Sequence, residues 1–219
     1  RIYSEATKST LDKNNIKVYD MNSPDFGSLF YEMKFSEAIK LKLLSDYQVV
    51  ILGFKDLNYL KMFDKRNLVN LTNGLKTDVG TLASHLSVIK SIKKYNLRKI
   101  ISFHSRVKNA KSFSLDFPKI YKWVPANQKK QIDLWSKHVN GSQKSHERED
   151  IIGEFDDRKL SDFSILTNAR CLSEGIDVPS VNGIAYIEPK QSYVDIIQSI
   201  GRAIRKNKEN KKSKIIIPI

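Results

Sequence analysis

The run YQVVILGF (47–54) carries almost no polar side chain, and this constrains the fold more than any other feature. A strand covered on one face alternates apolar and polar residues, whereas a strand covered on both faces reads as a continuous apolar run. KIISFH (99–104), DFSILT (162–167), GIAYI (183–187) and IIIPI (215–219) repeat the pattern, and WSKHVNG (135–141) suggests a further strand. Between these runs the period changes. GTLASHLSVIKSIKKYNL (80–97) places Leu82, Leu86, Ile89 and Ile92 on one helical face and its lysines on the other. Further helices are expected over 35–44 (Phe35, Ala38, Ile39, Leu43), 106–113, 145–157 and 191–205. Ser145 begins an approximate capping box. Strands alternating with amphipathic helices imply an α/β fold, a mostly parallel sheet with helices on both faces. Pro118 and Pro125 are expected to break any helix across 114–130. Residues 56–79 read as loop-rich, with a turn at Asn73-Gly74.

The 219 residues include 38 Lys+Arg against 24 Asp+Glu, a net charge of +14, which favours a polyanionic partner over mere solubility. An aromatic content of 10% and a hydrophobic content of 40% argue for a folded chain, not a basic tail. The lone Cys171 excludes an intramolecular disulfide and argues against a cysteine-based zinc site. His85, His104, His138 and His146 form no pair at metal-binding spacing, so no metal site is expected, and His138 and His146 read as surface groups. No apolar run is long enough for a membrane span, and RIYSEATKST lacks a signal-peptide core. A cytoplasmic location is the simplest expectation.

The chemistry-bearing stretch is Gln198-Ser199-Ile200-Gly201-Arg202-Ala203-Ile204-Arg205. Two arginines three residues apart share one helix face. Two fixed cations there suit a polyanion such as a triphosphate, and the alternative is a solvated basic face. The preceding LTNARCLSEGIDVP (166–179) runs from an apolar strand into a polar turn with Glu174, Gly175 and Asp177. A strand, a glycine-bearing polar loop, another strand and then a basic helix end, in that order, suit phosphate chemistry in a parallel sheet.

QSIGRAIR resembles the Q-x-x-G-R-x-x-R motif of superfamily 2 helicases and translocases. LTNARCLSEGIDVP is similar to the motif preceding it in that family. KIISFHSRVKNAKSF (99–113) resembles the strand and turn that open the second half of the motor, and VNGSQKSHEREDIIGEF (139–155) resembles the element between. Four motifs stand in family order over residues 99–205. No G-x-x-x-x-G-K-[ST] phosphate loop and no Asp-Glu pair are present, parts the family carries on its first lobe. The resemblance therefore implies the second, C-terminal RecA-like lobe, with 28–219 as the domain and 1–27 as a linker or tail from a preceding lobe. Alone, such a lobe is expected to be inactive.

The resemblance also implies roles. Arg202 and Arg205 would be arginine fingers toward the γ-phosphate, and Gln198 would contact that phosphate or the attacking water. Gly175 and Asp177 would contact the nucleotide, with Asp177 accepting from a ribose hydroxyl. Glu174 could join them, or form a salt bridge with Arg170 within the turn. Nucleic-acid backbone contacts would come from Ser105, Arg106, Thr167, Asn168 and Gly141, with Ser142 beside it. For Ser105 and Gly141, ordinary turn roles fit nearly as well. The implied cofactors are ATP and Mg2+, held mainly by the first lobe. The implied partners are nucleic acid, with DNA as the expectation, and that first lobe. Ala203-Ile204 and Ser199 depart from the RNA-unwinding subfamilies. FSEAIKLKLLSDYQVV (35–50) is instead similar to DNA translocases of restriction–modification enzymes. A competing reading is an ATPase-inactive nucleic-acid-binding module.

Overall fold

The computed structural model describes residues 31–53, 68–70, 76–157, 163–169, 171, 181–188, 196, 200, 201 and 212–219. Its centre is a six-stranded sheet built from β1 (Tyr47–Leu52), β4 (Lys99–Phe103), β5 (Leu134–Asn140), β6 (Phe163–Ala169), β7 (Gly183–Tyr186) and β8 (Ser213–Pro218). The order is β1-β8-β7-β4-β6-β5, and every pairing is parallel. The helices are α1 (Phe35–Lys40), α2 (Val79–Tyr95), α3 (Val107–Trp123) and α4 (Ser145–Asp157). A separate antiparallel pair, β2 (Leu68–Asn70) with β3 (Lys76–Asp78), gives structure to a stretch expected to be loop-rich. Asn73-Gly74 falls between those strands, outside the described residues.

Both faces of the central strands β4, β6 and β7 are covered, which explains their buried apolar runs. β1 corrects the expectation for YQVVILGF, because it is an edge strand paired only with β8 and its Val49 and Ile51 are exposed. Ile100, Ile165, Ala185 and Ile216 point to one face, against Leu82, Leu86, Ile89 and Ile92 of α2 and Phe113, Phe117 and Ile120 of α3. Their neighbours Ile101, Leu166, Ile184 and Ile215 point to the other, with Phe155 of α4. Burying one such side chain contributes about 1.5–3 kcal/mol.

Local chemistry sets the helix ends. Asp78 caps α2 by accepting from the Thr81 N–H at 2.9 Å. Asn96 stops the same helix in the left-handed region at φ 52°, a conformation Asn tolerates better than most residues. α1 is shorter than its apolar spacing predicts, because Lys42 turns left-handed at φ 58° and the Leu43 and Leu44 N–H groups fold back onto the Ala38 carbonyl.

α3 corrects the expectation of a break at Pro118, since the helix runs through it to Trp123. Proline cannot donate to the carbonyl four residues back. That carbonyl, on Ser114, instead accepts from the Ser136 hydroxyl of β5 at 2.9 Å. The neighbouring Phe117 and Ile120 are fully buried. Tertiary packing and a substitute donor thus outweigh a local propensity.

Candidate nucleic-acid interface

Parallel strands bring their carboxyl ends to one edge. In register, Asn168 of β6 stands opposite Phe103 of β4 and Val139 of β5, and Tyr186 of β7 stands opposite Phe103 from the other side. The turns that follow carry Ser105 and Arg106 after β4, Gly141 and Ser142 after β5, and Glu188 after β7. The sheet therefore gathers Ser105, Arg106, Gly141, Thr167 and Asn168 at one edge, though they differ in what they present.

Ser105 and Arg106 are exposed. Arg106 is the N-cap of α3 in extended conformation, and its side chain makes no capping bond. Its guanidinium has no ion pair among the described residues. The Ser105 N–H donates to Glu188 Oε2 at 2.6 Å, and its hydroxyl donates to the same oxygen. The Asn109 amide donates to Glu188 Oε1. Burial pushes the Glu188 carboxyl up, but the bonds from Ser105 and Asn109 outweigh it and hold it below the usual carboxylate value.

β6 extends to Ala169, past its expected end at 167, so both Thr167 and Asn168 lie within the strand and are buried. The Thr167 hydroxyl donates to the Ala110 carbonyl of α3 at 2.9 Å. Asn168 Oδ1 accepts from the Cys171 N–H at 3.3 Å, and its carbonyl accepts from the His104 N–H at 3.0 Å. In this structure both residues tie the edge together.

Gly141 is exposed, and a Cβ there would meet nothing within 4 Å, so the turn itself does not require glycine. The next amide, Ser142 N–H, donates to Asn140 Oδ1 at 2.9 Å. The Asn140 N–H donates in turn to Gln143 Oε1 at 2.8 Å.

Histidines line the inner side of this edge. His104 is pushed down to about 4, chiefly by burial. One ring nitrogen lies 3.1 Å from the Ser102 hydroxyl. His138, expected as a surface group, is half-buried in β5, with Nδ1 3.3 Å from the Thr167 hydroxyl and Nε2 3.1 Å from the Asn140 amide. His146 is exposed. Among the described residues no group of three His, Cys, Asp or Glu side chains is placed to hold a metal.

Gln198, Arg202 and Arg205, and Arg170, Glu174, Gly175 and Asp177, lie outside the described residues. Their described neighbours Ile196, Ile200 and Gly201 are helical, and Ile196 and Ile200 pack on the α4 face of the sheet. Glu188 and Asn109 were missed by sequence reasoning. The available signal was an acidic residue directly after an apolar strand, in IEP (187–189), at the edge where the other turns converge.

A model of the helicase conserved C-terminal domain family matches residues 83–207. The chain belongs to this helicase family. The match takes in the four sequence motifs between 99 and 205. Among solved structures, an ATP-dependent type ISP restriction–modification enzyme bound to DNA superposes with a TM-score of 0.74 at 23% identity. That likeness covers 96% of this chain and 15% of the enzyme. Domain 2 of a DEAD-box helicase bound to an RNA duplex gives a TM-score of 0.50 at 18% identity, over 78% of this chain and 53% of that one. Among curated relatives, a probable helicase of African swine fever virus is 38% identical over 55 residues, which are 25% of this chain and 6% of the viral protein. The chain thus spans only a small part of the restriction–modification enzyme and of the viral protein, and about half of the DEAD-box domain. As in other helicase C-terminal domains, its α/β sheet is RecA-like.

Proposed function

We infer that this helicase C-terminal domain is the second motor lobe of an ATP-dependent DNA helicase or translocase of the restriction–modification kind. The observation that carries the reading is the convergence of Ser105, Arg106 and Gly141 on the edge formed by the strand carboxyl ends. The net charge of +14 supports a nucleic-acid partner. Backbone contacts of this type hold a strand without reading its sequence. Thr167 and Asn168 act there by fixing β6 against α3 and β4, and they reach a strand only if the edge opens.

The domain is taken as 28–219, with 1–27 leading from a first lobe and the cytoplasm as its place. ATP with Mg2+ would lie between the lobes, and when bound it supplies the transferable phosphoryl group. This chain's part is to bring Gly175, Asp177 and Glu174 to the nucleotide, and Gln198, Arg202 and Arg205 to its phosphate end. An arginine finger accelerates phosphoryl transfer by about three to five orders of magnitude.

The test joins this chain to a preceding lobe and measures ATP hydrolysis with and without DNA. The motor reading predicts DNA-stimulated hydrolysis that Arg205→Ala abolishes. Unchanged hydrolysis in that variant would remove the finger role. No hydrolysis in any arrangement, with DNA binding retained, would favour an ATPase-inactive binding module.

A further inference from the structure

Glu188 is not among the residues expected to touch nucleic acid, yet it occupies the groups that would. Both donors of Ser105, its N–H and its hydroxyl, are directed at one carboxylate oxygen, and the Asn109 amide is directed at the other. A carboxylate and a phosphodiester offer the same negative charge and the same acceptor oxygens. They cannot share three donors without bringing two anions into contact.

Glu188 is also placed to report what happens there. It stands just past β7, and the preceding Tyr186 donates its hydroxyl to the Ile196 carbonyl at 3.2 Å. In sequence, Glu188 precedes the helical positions 196, 200 and 201 and then Arg202 and Arg205. One side chain thus ties the turn between β4 and α3 to the start of the segment that carries the arginines.

We propose that Glu188 is an intramolecular stand-in for a backbone phosphate, latching Ser105 and Asn109 to the exit of β7 until a nucleic-acid strand takes those donors. The inference rests on the reading of Ser105 and Arg106 as nucleic-acid contacts. Arg106, next in sequence and with no ion pair among the described residues, is the cation that meets the incoming strand. Binding then requires release of Glu188 from Ser105 and Asn109 when nucleic acid arrives.

The test is fluorescence anisotropy of a labelled single-stranded oligodeoxynucleotide with the full chain at neutral pH and fixed salt. Four proteins are compared: wild type, Glu188→Ala, Glu188→Gln, and Asp157→Asn. The last removes one exposed carboxylate near Lys99, at the opposite edge of the sheet. Loss of an anion competing at the binding site should tighten both Glu188 variants by about fivefold or more. Asp157→Asn should change binding far less. Equal tightening in all three variants would reduce the effect to general charge and overturn the latch. Wild-type affinity in Glu188→Gln, with weaker binding in Glu188→Ala, would make Glu188 a structural staple and also overturn it. Glu188→Gln keeps the size and one acceptor, so it decides the matter even if Glu188→Ala unfolds. If wild type and every variant fail to bind, the nucleic-acid reading falls together with the latch. Binding by wild type without tightening in the Glu188 variants removes the latch alone.

Discussion

Among the described residues, the two faces of the sheet are packed to different depths. On the α2–α3 face, Leu82, Leu86, Ile89, Ile92, Phe113, Phe117, Ile120 and Phe163 are buried together. Its rings lie close, with Phe113 to Phe117 at 5.7 Å and Phe117 to Phe163 at 6.0 Å. On the other face α4 contributes a single buried side chain, Phe155, and Ile151, Ile152, Ile196 and Ile200 are only partly buried. The first face is therefore the scaffold. Among the described residues the second has fewer fully buried side chains, and on those residues it is the side expected to open at lower free energy. The positions neighbouring the arginine motif pack on that second side.

The largest expected effect tests this contrast directly. Phe117→Ala should cost about 3–5 kcal/mol, whereas Ile152→Ala, from a half-buried site, should cost about 1 kcal/mol. Urea unfolding monitored by circular dichroism measures both. Equal losses would erase the distinction between the faces.

Acid should act on the tighter side. His104 packs against Phe113 with ring centroids 5.0 Å apart. Burial takes its pKa from 6.5 to about 4. Between those values the unfolded chain binds the proton and the folded chain does not, so stability rises with pH. The contribution of the neutral ring is full above the unfolded value and is lost as pH falls toward about 4, an effect of about 3 kcal/mol. His85, fully buried beside Phe113, shifts in the same direction, chiefly by desolvation. Unfolding curves across this window should flatten in His104→Gln. An unchanged slope would mean that the ring is not protected as the packing implies.

A smaller effect sharpens the role of the strand edge. Thr167→Val keeps the shape and removes the bond to the Ala110 carbonyl, costing about 1 kcal/mol of stability. DNA affinity should not change beyond that loss of stability. A strong affinity loss in a stably folded variant would show that the hydroxyl leaves Ala110 to meet the strand.

The architecture was legible because its signals are cooperative. The apolar runs of β4 and β6 and the face of Leu82, Leu86, Ile89 and Ile92 agree on a buried parallel sheet, and those runs and all four helix side chains are buried. The equally apolar β1, in contrast, lies at the sheet edge with Val49 and Ile51 exposed. Pro118 misled because the Ser136 hydroxyl that replaces its missing donor lies on another element. The site was legible as motifs but not as contacts. Nothing in the local sequence says that Ser105 donates to Glu188, 83 positions away, or that Thr167 turns toward Ala110, 57 positions away. Such partners are set by the parallel register, which joins strands distant in sequence.

Amide hydrogen exchange on the full chain, with and without a single-stranded oligodeoxynucleotide, addresses the central claim most directly. A nucleic-acid edge at the strand carboxyl ends predicts protection gained at 104–109 and 140–142, with α2 unchanged. Protection confined to the lysines at the opposite end, around Lys93 and Lys130, or protection nowhere, would contradict it.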